Sequence, residues 1–152
     1  MRHKIPNRLK EALSYLSSSV VAIGFSSIEI SPLQQLDALQ EGYSGANWQK
    51  GWLVIGHEGL AGDPIFVDLG EKQIPVFTAA HDTGSWSPVC LAESIEGFCA
   101  IVEKLRKLAR NRSNPVELEA NPLGEKEVDR FLSDVAKSNP QADFEVWRSW
   151  MS

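Results

Sequence analysis

The 152-residue chain is 43% apolar and 23% charged, the makeup of an ordinary globular protein and not of a disordered one. At this length about 68–70% of the unfolded surface can be buried, so a core needs neither metal nor disulfide to close it. A net charge of −5 and a pI near 5.2 disfavour nucleic acid, whose binding rests on Lys and Arg contacts to phosphate, and favour a basic protein partner or an uncharged one.

The basic N-terminus, Met1 to Arg8, leads into a polar-interrupted segment instead of an apolar signal core. No stretch approaches the roughly 18 apolar residues of a membrane span, so the expected setting is cytoplasmic. Leu9, Ala12, Leu13, Leu16 and Val20 recur at helical spacing and predict an amphipathic helix over residues 7–20. Val20 to Phe25 is short, β-branched and apolar, a strand pattern. Ser31-Pro32 opens a second helix, with Ser as cap and Pro in the first turn, running through Leu33, Leu36 and Leu39 to Gly42.

The middle of the chain changes character. Strand patterns cover Gly51 to Gly56, Pro64 to Leu69, Pro75 to Ala79 and Ser87 to Leu91, separated by Gly59 to Gly62, by the Gly70-Glu71-Lys72-Gln73 turn and by a polar loop. Such short connections imply antiparallel pairing, because parallel strands need long crossovers. Ser94 is placed to cap a helix whose apolar face is Ile95, Phe98, Cys99, Val102, Leu105 and Leu108, with Glu96 in the favourable first turn. A polar break from Arg110 to Pro115 precedes a helix starting at Asn121-Pro122 with Val128, Phe131, Leu132 and Val135 on one face. Phe144, Trp147 and Met151 mark a last helical turn or two. The expected fold class is α+β: one domain over residues 1–152, a twisted antiparallel sheet flanked by helices, with its core at 50–105 and a C-terminal helical extension over 116–152.

No chemical motif survives inspection. His57-Glu58 begins like the zinc-protease pattern His-Glu-x-x-His, but Ala61 stands where the second His is required. The glycines at 56, 59 and 62 have the wrong spacing for a dinucleotide loop, and they sit between two strands, whereas phosphate loops open a helix. A glycine-permitted β connection is the better reading. His57, Glu58, Asp63, Asp68, His81 and Asp82 would have to converge to hold a metal for a hydrolase, yet they lack regular ligand spacing. Gly24-Phe25-Ser26-Ser27-Ile28 lacks the final Gly of a nucleophile elbow. Cys90 and Cys99 form no Cys-x-x-Cys pair, and Cys99 falls on an apolar helix face as a small hydrophobe. No catalytic residue, cofactor or metal site is expected.

Five tryptophans are many for this length. Trp52 and Trp147 are in phase with apolar faces and read as core. Trp48 and Trp86 lie in loops and read as interface candidates, since Trp joins a large apolar area to a polar N–H.

The stretch Trp52-Leu53-Val54-Ile55-Gly56 to Gly62-Asp63-Pro64-Ile65-Phe66-Val67-Asp68-Leu69 resembles the central strands of the SUKH superfamily. There, an apolar-Ile-Gly segment is followed by Gly-Asp-Pro, an apolar triplet and Asp. Pro75-Val76-Phe77 with His81-Asp82, and Leu91-Ala92-Glu93-Ser94-Ile95-Glu96-Gly97-Phe98, resemble the later strand, loop and helix start of that family, so the likeness covers residues 50–105. The resemblance implies an α+β fold with a twisted antiparallel sheet. It also implies a non-enzymatic role: bacterial members are chiefly immunity proteins that neutralise polymorphic toxins, and the fungal branch serves as a signalling scaffold. No catalytic residues accompany it. Asp63, Asp68 and Ser94 match motif positions as structural turns and a helix cap. The expected partner is therefore a protein, a basic toxin domain in the immunity reading, met by Glu58, Asp63, Glu71 and Asp82 together with Trp48 and Trp86; a scaffold unconnected with toxins is the alternative.

Overall fold

Alternation along the strands sends apolar side chains to both sides of the sheet, which fixes the architecture as layers on one twisted platform. A computed structural model describes residues 3–18, 20–23, 26–45, 47–81, 83–110, 120 and 122–151. Among them six antiparallel strands follow chain order: β1 Val21–Ile23, β2 Ser26–Ile30, β3 Trp52–Glu58, β4 Pro64–Asp68, β5 Val76–Thr78 and β6 Val89–Ala92. Five helices accompany them: α1 Asn7–Leu16, α2 Leu36–Leu39 after a 3-10 turn, α3 Ile95–Leu108, α4 Glu125–Ser138 and α5 Phe144–Trp150. The fold class is α+β, as expected. None of the described helices is long and apolar enough to cross a membrane.

Leu53 and Ile55 of β3, Ile65 and Val67 of β4 and Leu91 of β6 join Leu9, Leu13, Phe98, Val102, Leu105, Phe131, Val135 and Trp147 in one buried cluster. Trp52, Val54, Phe66 and Ala79 form a second, smaller cluster on the opposite face. The helical layer is locked by specific polar contacts. Ser94 caps α3, its hydroxyl oxygen accepting the Gly97 N–H at 2.9 Å. Arg106 of α3 lies 4.5 Å from the centre of the Tyr15 ring and donates to the carbonyls of Tyr15 and Leu16, satisfying the C-terminal end of α1.

The C-terminal helices also close the sheet edge at β6. The Asp143 N–H donates to the Cys90 carbonyl at 2.8 Å, the Trp147 indole N–H to the Leu91 carbonyl at 3.0 Å, and the buried Asn139 side chain accepts the Glu93 N–H at 2.9 Å. These bonds occupy groups that an open edge strand would offer to another chain.

Several elements differ from the sequence reading. α1 stops at Leu16, and Val20 is 55% exposed. β2 was not foreseen; its polar Ser26, Ser27 and Glu29 mask an alternation in which Ser26, Ile28 and Ile30 point inward. Ser31 caps no helix, because its N–H is drawn into the sheet by the Ile55 carbonyl at 2.8 Å and the turn starts at Leu33 with no side-chain cap. α4 begins at Glu125 after Gly124, later than Asn121-Pro122; Asn121, Gly24-Phe25 and residues 111–119 lie outside the described residues.

One irregularity decides where the side chains of β3 point. The β3–β4 register shifts between Val54 and Gly56, so Ile55 is an extra residue in a bulge. Gly56 is required there, since a Cβ would lie 2.2 Å from the Glu29 carbonyl oxygen of β2. Above the bulge, the Gln40 side chain substitutes for a strand: its amide oxygen accepts the Val54 N–H and its NH₂ donates to the Val54 carbonyl, both at 2.9 Å.

Candidate functional site

The helices other than α2 leave the second face of the sheet to two loops. Trp48, from the connection between α2 and β3, sets its ring edge-on to Trp52 at 5.1 Å and 5.0 Å from Phe66. Trp86, from the β5–β6 loop, meets Trp48 at 5.3 Å, and Tyr43 lies 5.3 Å from Trp48 and 5.7 Å from Trp86. Gly45 and Gly84 both have positive φ, which lets these loops fold back over the strands. The result is an aromatic cap, half-buried at Tyr43, Trp48 and Trp86, over a floor of Trp52, Val54 and Phe66. Each tilted or edge-on ring pair adds about 0.5–1.5 kcal/mol beyond the area it buries.

Polar groups rim this cap. Tyr43 Oη lies 2.7 Å from His57 Nε2. Burial, with a smaller push from Asp63, raises the Tyr43 phenol, while burial lowers His57 against the opposing pull of Glu29. At neutral pH a protonated phenol therefore faces a neutral imidazole across this hydrogen bond. Nearby, Asp63 Oδ1 accepts from the backbone N–H of His81 at 3.1 Å and lies 2.6 Å from His81 Nδ1. A hollow of about 710 Å³ opens beside Tyr43, walled by His3, Asp37, Glu41 and Ser44.

The sequence-derived site residues divide. Trp48 and Trp86 come together in the cap. Glu58 requires a correction: it is 2% exposed and faces inward, its carboxylate accepting the N–H groups of Leu60 at 2.6 Å and Ala61 at 2.9 Å and the hydroxyl of Ser26. Without the bulge, residues 52, 54, 56 and 58 would share the capped face; the extra residue at Ile55 reverses the phase, turning Glu58 inward and His57 outward. Asp63 is half-buried against His81, and Glu71 is exposed in the β4–β5 turn, at the opposite end of β4 from Asp63. Asp82 lies outside the described residues.

Of the six side chains weighed as a metal site, the structure joins Asp63 with His81. His57 is turned to Tyr43, Glu58 to its own turn, and Asp68 accepts the Gly70 N–H at 2.8 Å as a turn residue. Among the described residues no three His, Cys, Asp or Glu side chains gather so as to hold a metal ion. Both cysteines are free and half-buried; burial pushes the Cys99 thiol up to about 11, so it stays protonated at neutral pH. Sequence reasoning missed Tyr43, His57 and Gln40 as parts of one assembly, and no local pattern links them.

Charge is also divided along the chain. From Glu11 to Glu103, a span containing the whole sheet, twelve Asp and Glu face only two basic side chains, Lys50 and Lys72. The other Lys and Arg lie in the first ten residues or from Lys104 onward. No protein-family model, no curated protein and no solved structure matches this chain.

Proposed function

We propose that this chain is a non-catalytic protein-binding domain of the immunity type, which neutralises a cognate bacterial toxin by covering a basic active cleft. One observation carries the reading: a half-buried cap of Tyr43, Trp48 and Trp86 on a sheet whose chain is strongly acidic. Large rigid aromatic groups supply the fully desolvated centre that strong interfaces need, and the surrounding carboxylates attract basic partners over distance. The resemblance of residues 50–105 to the SUKH superfamily adds the immunity role to what would otherwise be a general binding surface.

Co-expression tests it. A toxin encoded by the neighbouring gene is expected to arrest growth alone and to be tolerated with this chain, with the purified proteins associating more slowly as salt rises. Equal killing with and without the chain ends the immunity reading.

A further inference from the structure

The connection between β3 and β4 is more strongly held than its size requires. Its residues Gly59-Leu60-Ala61-Gly62, which precede Asp63, are organised from below by the Glu58 carboxylate, which takes the N–H groups of Leu60 and Ala61 and the Ser26 hydroxyl. The Gly62 N–H donates to the Glu58 carbonyl at 3.1 Å, and the Gly59 N–H to the Ser27 carbonyl at 2.8 Å. Gly62 has φ +81°, which favours glycine, and a Cβ on Gly59 would sit 2.0 Å from Ser27 Oγ, so that hydroxyl would have to turn away. The side chain carried by this framework is Leu60, 70% exposed, against 55% for Val20, 39% for Phe144 and 38% for Tyr15.

Burying a carboxylate is costly unless its oxygens are well bonded. Here that bonding satisfies the carboxylate and at the same time fixes a turn whose one large side chain stays 70% exposed. A side chain already held in place loses less freedom on docking, and this is where such order takes effect. The surroundings also bear on the partner's charge. Asp63 adjoins the turn and the exposed Glu29 pairs with His57 beside it, while no Lys or Arg occurs between Lys50 and Lys72.

We infer that the β3–β4 tip is a preformed anchor: Leu60 enters an apolar socket with a basic rim on the partner protein, and Glu58 is the positioning residue that holds it out. The inference rests on the proposed binding function and adds its point of attachment.

The test uses the full chain and a catalytically dead form of the toxin domain encoded beside it, by titration calorimetry. Leu60→Asp is expected to raise Kd at least 30-fold with its urea midpoint unchanged, and Phe144→Asp, on the helical side, to alter Kd less than twofold. In the free protein, hydrogen exchange at the Leu60 and Ala61 amides is expected to be slowed at least 100-fold relative to an unstructured chain, and Glu58→Gln to remove much of that protection. If wild-type chain fails to bind, the proposed function falls and the anchor with it. If wild type binds and Leu60→Asp binds within threefold, the anchor alone is overturned. Unprotected Leu60 and Ala61 amides overturn it whatever the affinity.

Discussion

On the side of α1, α3, α4 and α5, the strands bury Leu53, Ile55, Ile65, Val67 and Leu91 against Phe98, Leu105 and Trp147, all at 1% exposure or less. On the other side Trp52, Val54 and Phe66 are covered by Tyr43, Trp48 and Trp86, which stay half-buried. The strands are the same, and the difference lies in what covers them. Helices close one face completely with mixed aliphatic and aromatic side chains; loops close the other with aromatic rings that stay partly exposed. One face is thus sealed from solvent, and the other keeps part of its aromatic surface at the solvent boundary.

That contrast can be broken most severely at Trp147. Trp147→Ala removes a fully buried ring and the indole bond to Leu91, with an expected loss of about 3–5 kcal/mol in urea unfolding, a large part of the roughly 5–15 kcal/mol that holds a domain of this size. Trp48→Ala, on the capped face, is expected to cost partner affinity about 2 kcal/mol, near 30-fold in Kd, and stability less than Trp147→Ala does. Equal stability losses at the two sites would show that the cap is ordinary core. Gln40→Ala leaves the N–H and C=O of buried Val54 without their bonds and is expected to cost about 2 kcal/mol, concentrated on the capped face. Loss of protection at the Val54 amide in hydrogen exchange, with α3 amides unchanged, checks that localisation.

The smallest expected effect is a pH dependence. His57 in the folded chain lies below its unfolded value of about 6.5, so the unfolded state takes up the proton first. Its contribution is complete above that pH and is lost as pH falls through it toward the folded value. Urea midpoints between pH 7.5 and 5 are expected to fall more steeply for wild type than for His57→Gln; parallel profiles would remove His57 from the stability of the cap.

Much of the scaffold could be read locally. The strands at β3, β4, β5 and β6, the α3 face and its Ser94 cap all depend on residues within one strand or one helical turn of each other, so periodicity and capping chemistry disclose them. β2 escaped because its outward positions are polar and its inward positions include Ser26, which makes sense only beside the buried Glu58 of β3. Glu58 reads as a surface group on its charge alone, because neither the bulge that turns it inward nor the N–H groups that hold it can be read from its neighbours. The Trp48–Trp86 pairing had a partial signal in two loop tryptophans, but their convergence with Tyr43 and His57 had none.

By itself the sequence determined the α+β class, the antiparallel run of strands, the α3 helix and the lack of any recognisable catalytic motif, since composition and short-range periodicity are properties of neighbouring residues. Tertiary structure alone decided which way β3 faces beyond Ile55, that Gln40 completes its edge, and that Tyr43, Trp48 and Trp86 meet in one cap. Those outcomes depend on the approach of chain segments tens of residues apart: the bulge at Ile55 sets the phase of the rest of the strand, and the Glu29 carbonyl lies too close to Gly56 for any side chain there.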